Sequence, residues 1–126
     1  MDILNKVLEL EQDADNFGFR WGNTQQIIEQ IKSECSEITE HLDGEQDACD
    51  QDALQEEIGD LLHAAFSLCV YCKFNPKDTM MKTLAKFERR MQAVKQIAAD
   101  QGLSTVEGLA FNELMVFWDK AKTNVG

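Results

Sequence analysis

Apolar side chains recur every three or four residues along nearly the whole chain, and this spacing limits the possible folds more than any other feature. Residues at that spacing share one face of an α-helix, whereas a half-buried strand alternates apolar and polar residues. No internal repeat and no strand-like alternation stands out in the sequence. The pattern therefore predicts an all-α fold, a bundle of four to five helices.

Capping residues and apolar stripes predict where each helix lies. Asn23, with Gln26 three residues on, is a good start for the second helix, and Asn75-Pro76 is a good start for the fourth. The third should be buried in the middle of the bundle, because it is apolar on nearly all sides after Leu61. The first, second and fourth helices are expected at about 3–15, 24–43 and 76–102. The third should start around residues 50–52 and continue through 71, and a closing helix at 109–122 should follow a capping-box spacing at 104–107.

A length of 126 residues with 44% hydrophobic content and one proline predicts a single domain over residues 1–126. The longest apolar stretch, residues 64–72, is far shorter than the ~20 residues that cross a bilayer. The first eleven residues also lack the basic start and apolar block of a signal peptide. We therefore expect a cytoplasmic protein with no membrane partner.

The four cysteines show no regular disulfide-like spacing, and we expect reduced thiols at Cys35, Cys49, Cys69 and Cys72. The last two form a C-x-x-C inside an apolar helical run rather than at a strand-to-helix turn. That position favours core packing over redox or zinc chemistry.

The net charge of -11 argues against nucleic acid as a partner, because nucleic-acid binding needs a basic surface. The charge is unevenly distributed. Residues 1–62 hold 17 acids and 3 bases, whereas residues 73–95 hold 7 bases and 2 acids. The acidic half and the basic segment could share one site, as binding of a metal and a polyphosphate together would require.

Two pairs of carboxylates have helical spacing and lie beside apolar stripes, namely Glu34 with Glu37 and Glu57 with Asp60. If the second and third helices are antiparallel neighbours, the pairs converge at one edge of the core. Four like charges there would repel one another unless cations compensate, and carboxylate oxygens suit Mg²⁺ or Mn²⁺. A solvated acidic face is the alternative. His41 and His63 are expected to be ordinary surface or helix-packing residues.

Lys86 and Arg90 are four residues apart on the fourth helix, away from its expected core stripe at Leu84, Phe87, Met91, Val94 and Ala98. They could grip one phosphate chain, although most basic helix faces are simply solvated. Three aromatic residues, Phe17, Phe19 and Trp21, could stack on a nucleobase, but a hydrophobic lid over one end of the bundle is the better expectation.

From about Trp21 to Lys122 the sequence resembles the MazG-type nucleotide pyrophosphohydrolases. The family pattern is a Glu-Glu-x-x-Glu helix, a Glu-x-x-Asp helix, a Lys-Phe-x-Arg-Arg segment and often a closing Trp-x-x-Ala-Lys. The matching segments are Ser33-Glu34-Cys35-Ser36-Glu37, Glu57-Ile58-Gly59-Asp60, Lys86-Phe87-Glu88-Arg89-Arg90 and Trp118-Asp119-Lys120-Ala121-Lys122. Ser33 departs from the first glutamate of the pattern, and Leu84 stands where relatives often have asparagine.

The resemblance implies metal ligation by Glu34, Glu37, Glu57 and Asp60, and phosphate contacts from Lys86 and Arg90. Among the aromatic residues, Trp21 is the one that we expect to bind substrate. The reaction it implies is Mg²⁺-dependent hydrolysis of an NTP or dNTP to a monophosphate and pyrophosphate, with nucleotide-pool house-cleaning as the expected role. Mn²⁺ is the expected substitute. The metal would activate the attacking water by lowering its pKa, or one of the glutamates would instead act as the general base. Family members are generally dimers or higher oligomers, so a homodimer or homotetramer is expected.

Two other interpretations remain open. The nearest is a related pyrophosphohydrolase that acts on phosphoribosyl-ATP or on dUTP, since such families share carboxylate-bearing helices. The second is a catalytically inactive acidic helical interaction module. The preferred base and sugar, the number of metal ions and the pathway do not follow from the sequence.

Overall fold

The computed structural model describes residues 2–44 and 50–126, and within these ranges it contains helices and no strands. The five helices are α1 (Ile3–Phe17), α2 (Thr24–Asp43), α3 (Gln51–Tyr71), α4 (Pro76–Asp100) and α5 (Phe111–Val125). The all-α class and the five helices are confirmed.

Side-chain caps fix the starts of the three central helices, and the sequence predicts those of α2 and α4. The Asn23 side chain accepts a hydrogen bond of 2.9 Å from the Gln26 N–H at the start of α2. Asn75 caps α4 in the same way through the Asp78 N–H at 3.1 Å, with Pro76 at the first helical position. Asp50 caps α3 through the Ala53 N–H at 3.0 Å. These bonds satisfy backbone donors that the first turn of a helix leaves unpaired.

The start of α5 differs from the sequence-based expectation. The capping-box spacing at residues 104–107 does not begin a helix, because the Thr105 hydroxyl accepts from the Glu107 N–H at 3.1 Å within a local turn. Serine and threonine side chains make such turns as readily as they cap helices. The helix begins instead at Phe111, after Ala110, which makes no side-chain cap.

The chain divides into two compact units, Met1–Thr79 and Met80–Gly126, and the division falls within α4. The prediction of one domain stays a prediction. In the first unit, α3 contacts both α1 and α2. Two contacts show that α2 and α3 are antiparallel: Tyr71 at the end of α3 donates to the Gly22 carbonyl at 3.4 Å, and His41 near the end of α2 lies beside Glu57.

The expectation that α3 is buried in the middle of the bundle after Leu61 is wrong for this single chain. Only Ala64 and Ser67 are buried on α3, and Leu62 is 55% exposed. Two neighbouring helices, α1 and α2, cover part of its circumference, so the remaining apolar side chains lie at the surface of the unit.

The core of the second unit lies between α4 and α5, where four side chains form a buried cluster: Val94, Ala98, Phe117 and Ala121. The stripe predicted on α4 is therefore correct in its second half. Its first half is not buried, because Leu84 and Phe87 are 57% and 53% exposed.

The cysteines are free thiols at Cys35, Cys69 and Cys72, whereas Cys49 lies outside the described residues. Cys72 is exposed at the end of α3, so the prediction that both cysteines of the C-x-x-C pack in the core is wrong. No helix among the described residues is long and apolar enough to cross a membrane.

Candidate functional site

The acidic residues of interest lie on α2 and α3, which pack against each other. Glu34 is 7% exposed and is therefore buried, although glutamate rarely is unless it is paired. Glu57 is half-buried, and Glu37 and Asp60 are exposed. The structure thus separates two inner carboxylates from two outer ones.

The two oxygens of Glu34 have different surroundings. Oε1 accepts a hydrogen bond from the Gln30 amide nitrogen at 2.7 Å, one helical turn earlier on α2. Oε2 is buried and has no hydrogen-bond partner. Burying a charged oxygen without a partner is costly, so this atom marks a place where a ligand would stabilise the fold.

Glu57 repeats this feature on α3, because its Oε2 is also buried without a hydrogen-bond partner. The closest basic group is His41 Nδ1 at 3.9 Å, too far for a hydrogen bond. His41 is therefore a half-buried neighbour of the carboxylates, whereas His63 forms a contact of 2.7 Å with Glu11 that joins α3 to α1.

The carboxylates are close enough to influence one another. The pKa of Glu37 is raised above its usual value of 4.5, chiefly by the negative charge of Glu34 and then by partial loss of water. The negative charges of Glu57 and Asp60 raise this pKa further. A raised carboxylate pKa is the expected result of like charges brought together without a compensating cation. The four side chains therefore lie near enough for their charges to interact, whereas their convergence on one metal stays a prediction.

The chemistry of these side chains fits a hard divalent cation, since all the donors are oxygens and two of them are buried and unpartnered. Within residues 2–44 and 50–126, however, no group of three or more His, Cys, Asp or Glu side chains is arranged so that it could hold a metal ion. The ligand set of Glu34, Glu37, Glu57 and Asp60 stays a prediction.

The two basic residues singled out in the sequence lie in the second unit and differ in their surroundings. Lys86 is exposed and lines an open depression of about 390 Å³. The other lining residues are Lys82, Thr83, Ala85 and Arg89. Arg90 is half-buried, and its guanidinium carbon lies 5.5 Å from the centroid of the Trp118 ring. Their roles in phosphate binding stay predictions.

The aromatic segment after α1 does not form the predicted lid. Phe17 and Phe19 are 89% and 81% exposed, so neither covers the end of the helices. The helix α1 ends at Phe17 because Gly18 takes a φ of 96°, a conformation that suits glycine. Trp21 is half-buried and stays a candidate for base stacking.

Three contacts around these residues were not predicted from the sequence: Gln30 on Glu34, His41 beside Glu57, and Trp118 on Arg90. The first follows i,i+4 spacing on α2 and could have been found from the sequence. The other two join residues 16 and 28 positions apart, and only the packing of helices brings them together.

Comparison with known proteins agrees with the geometry. A sequence-family model described as "MazG nucleotide pyrophosphohydrolase domain" matches residues 23–95, more than half of the chain and all four acidic residues. A nucleoside triphosphate pyrophosphohydrolase/pyrophosphatase MazG of Thermotoga maritima is 29% identical over 119 residues, 94% of this chain and 44% of the relative. A nucleoside triphosphate pyrophosphohydrolase of Escherichia coli K12 is 28% identical over 122 residues, 97% of this chain and 45% of the relative.

The chain spans less than half the length of both relatives. The match nevertheless extends over an all-helical region that carries the two acidic helices, α2 and α3, and most of the basic helix, α4. On these grounds the chain belongs to the MazG nucleotide pyrophosphohydrolase domain family.

Proposed function

We propose that this chain hydrolyses nucleoside or deoxynucleoside triphosphates to a monophosphate and pyrophosphate in the presence of Mg²⁺. The observation that carries the proposal is the pair of buried, unpartnered carboxylate oxygens, Glu34 Oε2 and Glu57 Oε2, on two packed helices. Both helices lie within the segment that matches the MazG family. Buried polar atoms without partners cost stability, and at functional sites this cost is offset when a ligand binds.

Four residues would hold the metal in this proposal: Glu34, Glu37, Glu57 and Asp60. Mg²⁺ suits them because it prefers oxygen ligands and keeps positions for water and substrate phosphates, and Mn²⁺ has similar preferences. When bound, the metal supplies charge neutralisation for the triphosphate and lowers the pKa of water. Gln30 supports this arrangement, since its hydrogen bond occupies Glu34 Oε1 and leaves Oε2 free to bind a metal.

The proposed reaction is attack by a water oxygen on the α-phosphorus. A new P–O bond forms, the bond from the α-phosphorus to the α,β-bridging oxygen breaks, and pyrophosphate leaves with that oxygen. A site carboxylate, Glu34 or Glu37, accepts a proton from the attacking water. Lys86 and Arg90 stabilise the negative charge that develops on the phosphates, and arginine's planar fork can bind two phosphate oxygens at once.

Trp21 is the residue proposed to contact the nucleobase. It is half-buried, and the next residue, Gly22, accepts a hydrogen bond of 3.4 Å from the Tyr71 hydroxyl. An aromatic ring next to an anchored backbone is suited to stacking, because little freedom is lost when the base binds. Stacking tolerates every base, so Trp21 alone does not select one.

The substrate class is supported by the names of the two relatives, which are nucleoside triphosphate pyrophosphohydrolases. We further propose a homodimer or homotetramer that serves nucleotide-pool house-cleaning in the cytoplasm. Exposed apolar side chains on α3 and α4 support self-association, among them Leu62 at 55%, Leu84 at 57% and Phe87 at 53%. Light scattering on the purified protein measures the assembly directly.

The reaction is tested by incubating the protein with Mg²⁺ and a panel of NTPs, dNTPs and phosphoribosyl-ATP in ¹⁸O-labelled water. We expect intact pyrophosphate and label in the monophosphate. Label in orthophosphate instead would mean attack at the γ-phosphorus and would overturn the mechanism. Turnover restricted to dUTP or phosphoribosyl-ATP would assign the chain to that narrower activity.

Absence of turnover on every substrate, with Mg²⁺ and with Mn²⁺, would favour the non-catalytic interaction module. A matched sample that contains Glu57→Gln protein controls for contaminating phosphatases. Contaminants would act equally in both samples, whereas the proposed activity depends on the Glu57 carboxylate.

A further inference from the structure

The surroundings of Arg90 in the second unit differ from those of the other basic residues on α4. Its guanidinium carbon lies 5.5 Å from the centroid of the Trp118 ring on α5. The Trp118 ring is in turn tilted by 48° against Phe87, with 6.0 Å between the ring centroids. Trp118 also packs against the buried cluster of α4 and α5, so its position is set by the core. Arg90 is therefore held by a side chain that is itself fixed.

Arg90 carries a charge that no anion neutralises in the part of the chain that the structure describes. Across residues 2–44 and 50–126 it forms neither an ion pair nor a hydrogen bond, and its Nε is buried without a partner. An arginine side chain stays protonated in proteins, so the charge cannot be removed by loss of a proton. The two terminal nitrogens are not enclosed in the way that Nε is. They are the donors that an anion can reach.

We propose that Trp118 is a positioning residue that holds the Arg90 guanidinium by stacking, so that its terminal N–H groups are set to receive a substrate phosphate. This inference rests on the proposed function, in which Arg90 contacts the phosphates. Trp118 itself does not touch the substrate in this proposal. Its indole ring attracts the guanidinium through the negative face of the π-system.

The physical advantage of the stack is preorganisation. A free arginine side chain samples many rotamers, and binding a phosphate would have to restrict them at a cost in affinity. A guanidinium already fixed on a ring has lost most of that freedom before the phosphate arrives. The ring leaves the edge of the fork available, because cation–π contact uses the face of the guanidinium and phosphate binding uses its N–H edge.

Inorganic triphosphate with Mg²⁺ is the probe for this inference, because it contains neither base nor sugar and so reports phosphate binding alone. Its dissociation constant is measured by calorimetry for the wild type and for Arg90→Ala, Trp118→Leu, Trp118→Phe and the double variant Arg90→Ala/Trp118→Leu. Leucine keeps apolar volume but has no π-face, whereas phenylalanine keeps a ring. Phe111→Leu is the matched control, because Phe111 is an aromatic residue of α5 that is 73% exposed.

We expect Trp118→Leu to weaken triphosphate binding by about tenfold, the scale of one cation–π contact. Trp118→Phe should recover most of this loss, and Phe111→Leu should leave the affinity unchanged. In the Arg90→Ala background, Trp118→Leu should add less than about twofold, since its effect acts through the guanidinium. Recovery by phenylalanine separates loss of the ring from a general defect in folding.

Three outcomes would overturn the inference, and they differ in what else they affect. Wild-type affinity in Trp118→Leu, combined with weak binding in Arg90→Ala, would remove Trp118 from the site and leave the proposed function intact. An undiminished effect of Trp118→Leu in the Arg90→Ala background would mean that Trp118 acts by its own contact. Wild-type affinity in Arg90→Ala would also remove the phosphate contact of Arg90, while turnover of nucleotides tests the reaction separately.

Discussion

The two acidic helices of the first unit and the basic helix of the second carry the charges of the proposed site in opposite ways. On α2 and α3 the key groups are partly buried, lie close to like charges and leave two oxygens without hydrogen-bond partners. On α4 the charged groups are mostly exposed, and Arg90 is the one that an aromatic ring covers. Burial therefore costs free energy at the carboxylates of α2 and α3, whereas most basic side chains of α4 keep their water.

This difference shows which charges deserve a functional interpretation. The chain has 23 acidic residues, and most of their side chains are solvated, so spacing alone selects too many candidates. An unpartnered buried oxygen is much rarer, because folding normally eliminates it. Among the basic residues the corresponding mark is the buried Nε of Arg90. The unpartnered oxygens of Glu34 and Glu57 and the unpartnered Nε of Arg90 therefore identify the side chains that are the best candidates for binding a ligand.

The largest effect is expected at the two acidic residues of α3 that are proposed as metal ligands. Glu57→Gln or Asp60→Asn should lower hydrolysis by about a thousandfold or more, because each removes a charge that the metal needs. The helical fold should stay intact, as measured by circular dichroism. Glu56→Gln, an adjacent exposed residue, is the control and should retain activity. Near-wild-type turnover in either variant would show that the proposed ligand set is wrong.

The basic helix should be less sensitive. Lys86→Ala and Arg90→Ala should each cost ~2 to 4 kcal/mol of transition-state stabilisation, the scale of one preorganised donor. The quantity to measure is kcat/KM for the best nucleotide. Lys73→Ala and Lys95→Ala change the net charge equally at exposed positions and should have much smaller effects. Equal losses at all four positions would indicate general electrostatic attraction rather than a defined phosphate contact.

Much of this architecture could be predicted from the sequence because it depends on local rules. The starts of α2 and α4 follow from Asn23 and Asn75, whose side chains cap the next turn. The predicted convergence of Glu34 with Glu57 requires one more condition, the antiparallel pairing of α2 and α3. The short connection between the two helices favours that pairing.

The predictions of burial that were wrong have a common cause. Whether an apolar side chain is buried depends on which other helices pack against it, and the spacing of apolar residues does not show this. The apolar stripe of α4 is buried at Val94 and exposed at Leu84, although both positions look alike in the sequence. The closing helix begins at Phe111, two residues later than expected, because Thr105 accepts from the Glu107 N–H in a local turn and the expected capping box does not form. The contact of Arg90 with the Trp118 ring depends on helix packing and has no signal in the spacing of these residues.

A smaller effect is expected on the stability of the metal-free protein. Glu34→Gln should raise its free energy of unfolding by about 1 kcal/mol, since it removes a buried charge and gives Glu37 an amide donor. The measurement is urea unfolding in the presence of a chelator. The same variant should lose most of the stabilisation that added Mg²⁺ gives the wild type, because metal binding and folding are linked.

Glu40→Gln serves as the control for this stability measurement, because Glu40 is an exposed acidic residue of the same helix. It should change neither the metal-free stability nor the response to Mg²⁺. If Glu34→Gln lowered the metal-free stability instead, the buried carboxylate would be stabilised by its surroundings, and the contrast between the two charged regions would lose its physical basis.

The smallest expected effect is a difference in pH dependence between two carboxylates of the first unit. The pKa of Glu37 is raised, chiefly by Glu34, so the folded state binds its proton more tightly than the unfolded state does. Stability of the metal-free protein must then fall as pH rises from about 4.5 through the folded pKa. Glu37→Gln should remove this pH-dependent loss of stability, because glutamine does not ionise. Its advantage over the wild type, measured by urea unfolding with chelator from pH 3 to about 7, should grow as pH rises.

Asp2 serves as the comparison for Glu37, because its pKa is shifted in the opposite direction. The hydrogen bond from Lys77, and then the Leu4 N–H, lower the pKa of Asp2 below its usual value of 3.8. Asp2→Asn keeps a helix cap but loses the Lys77 ion pair of 3.0 Å, so its deficit should be present above pH 3.8 and disappear as pH falls through the lowered pKa. Both differences should therefore grow with pH, with opposite signs. A Glu37→Gln difference that stayed flat would mean that its neighbours do not repel it in solution, because repulsion between carboxylates must vanish once they are protonated.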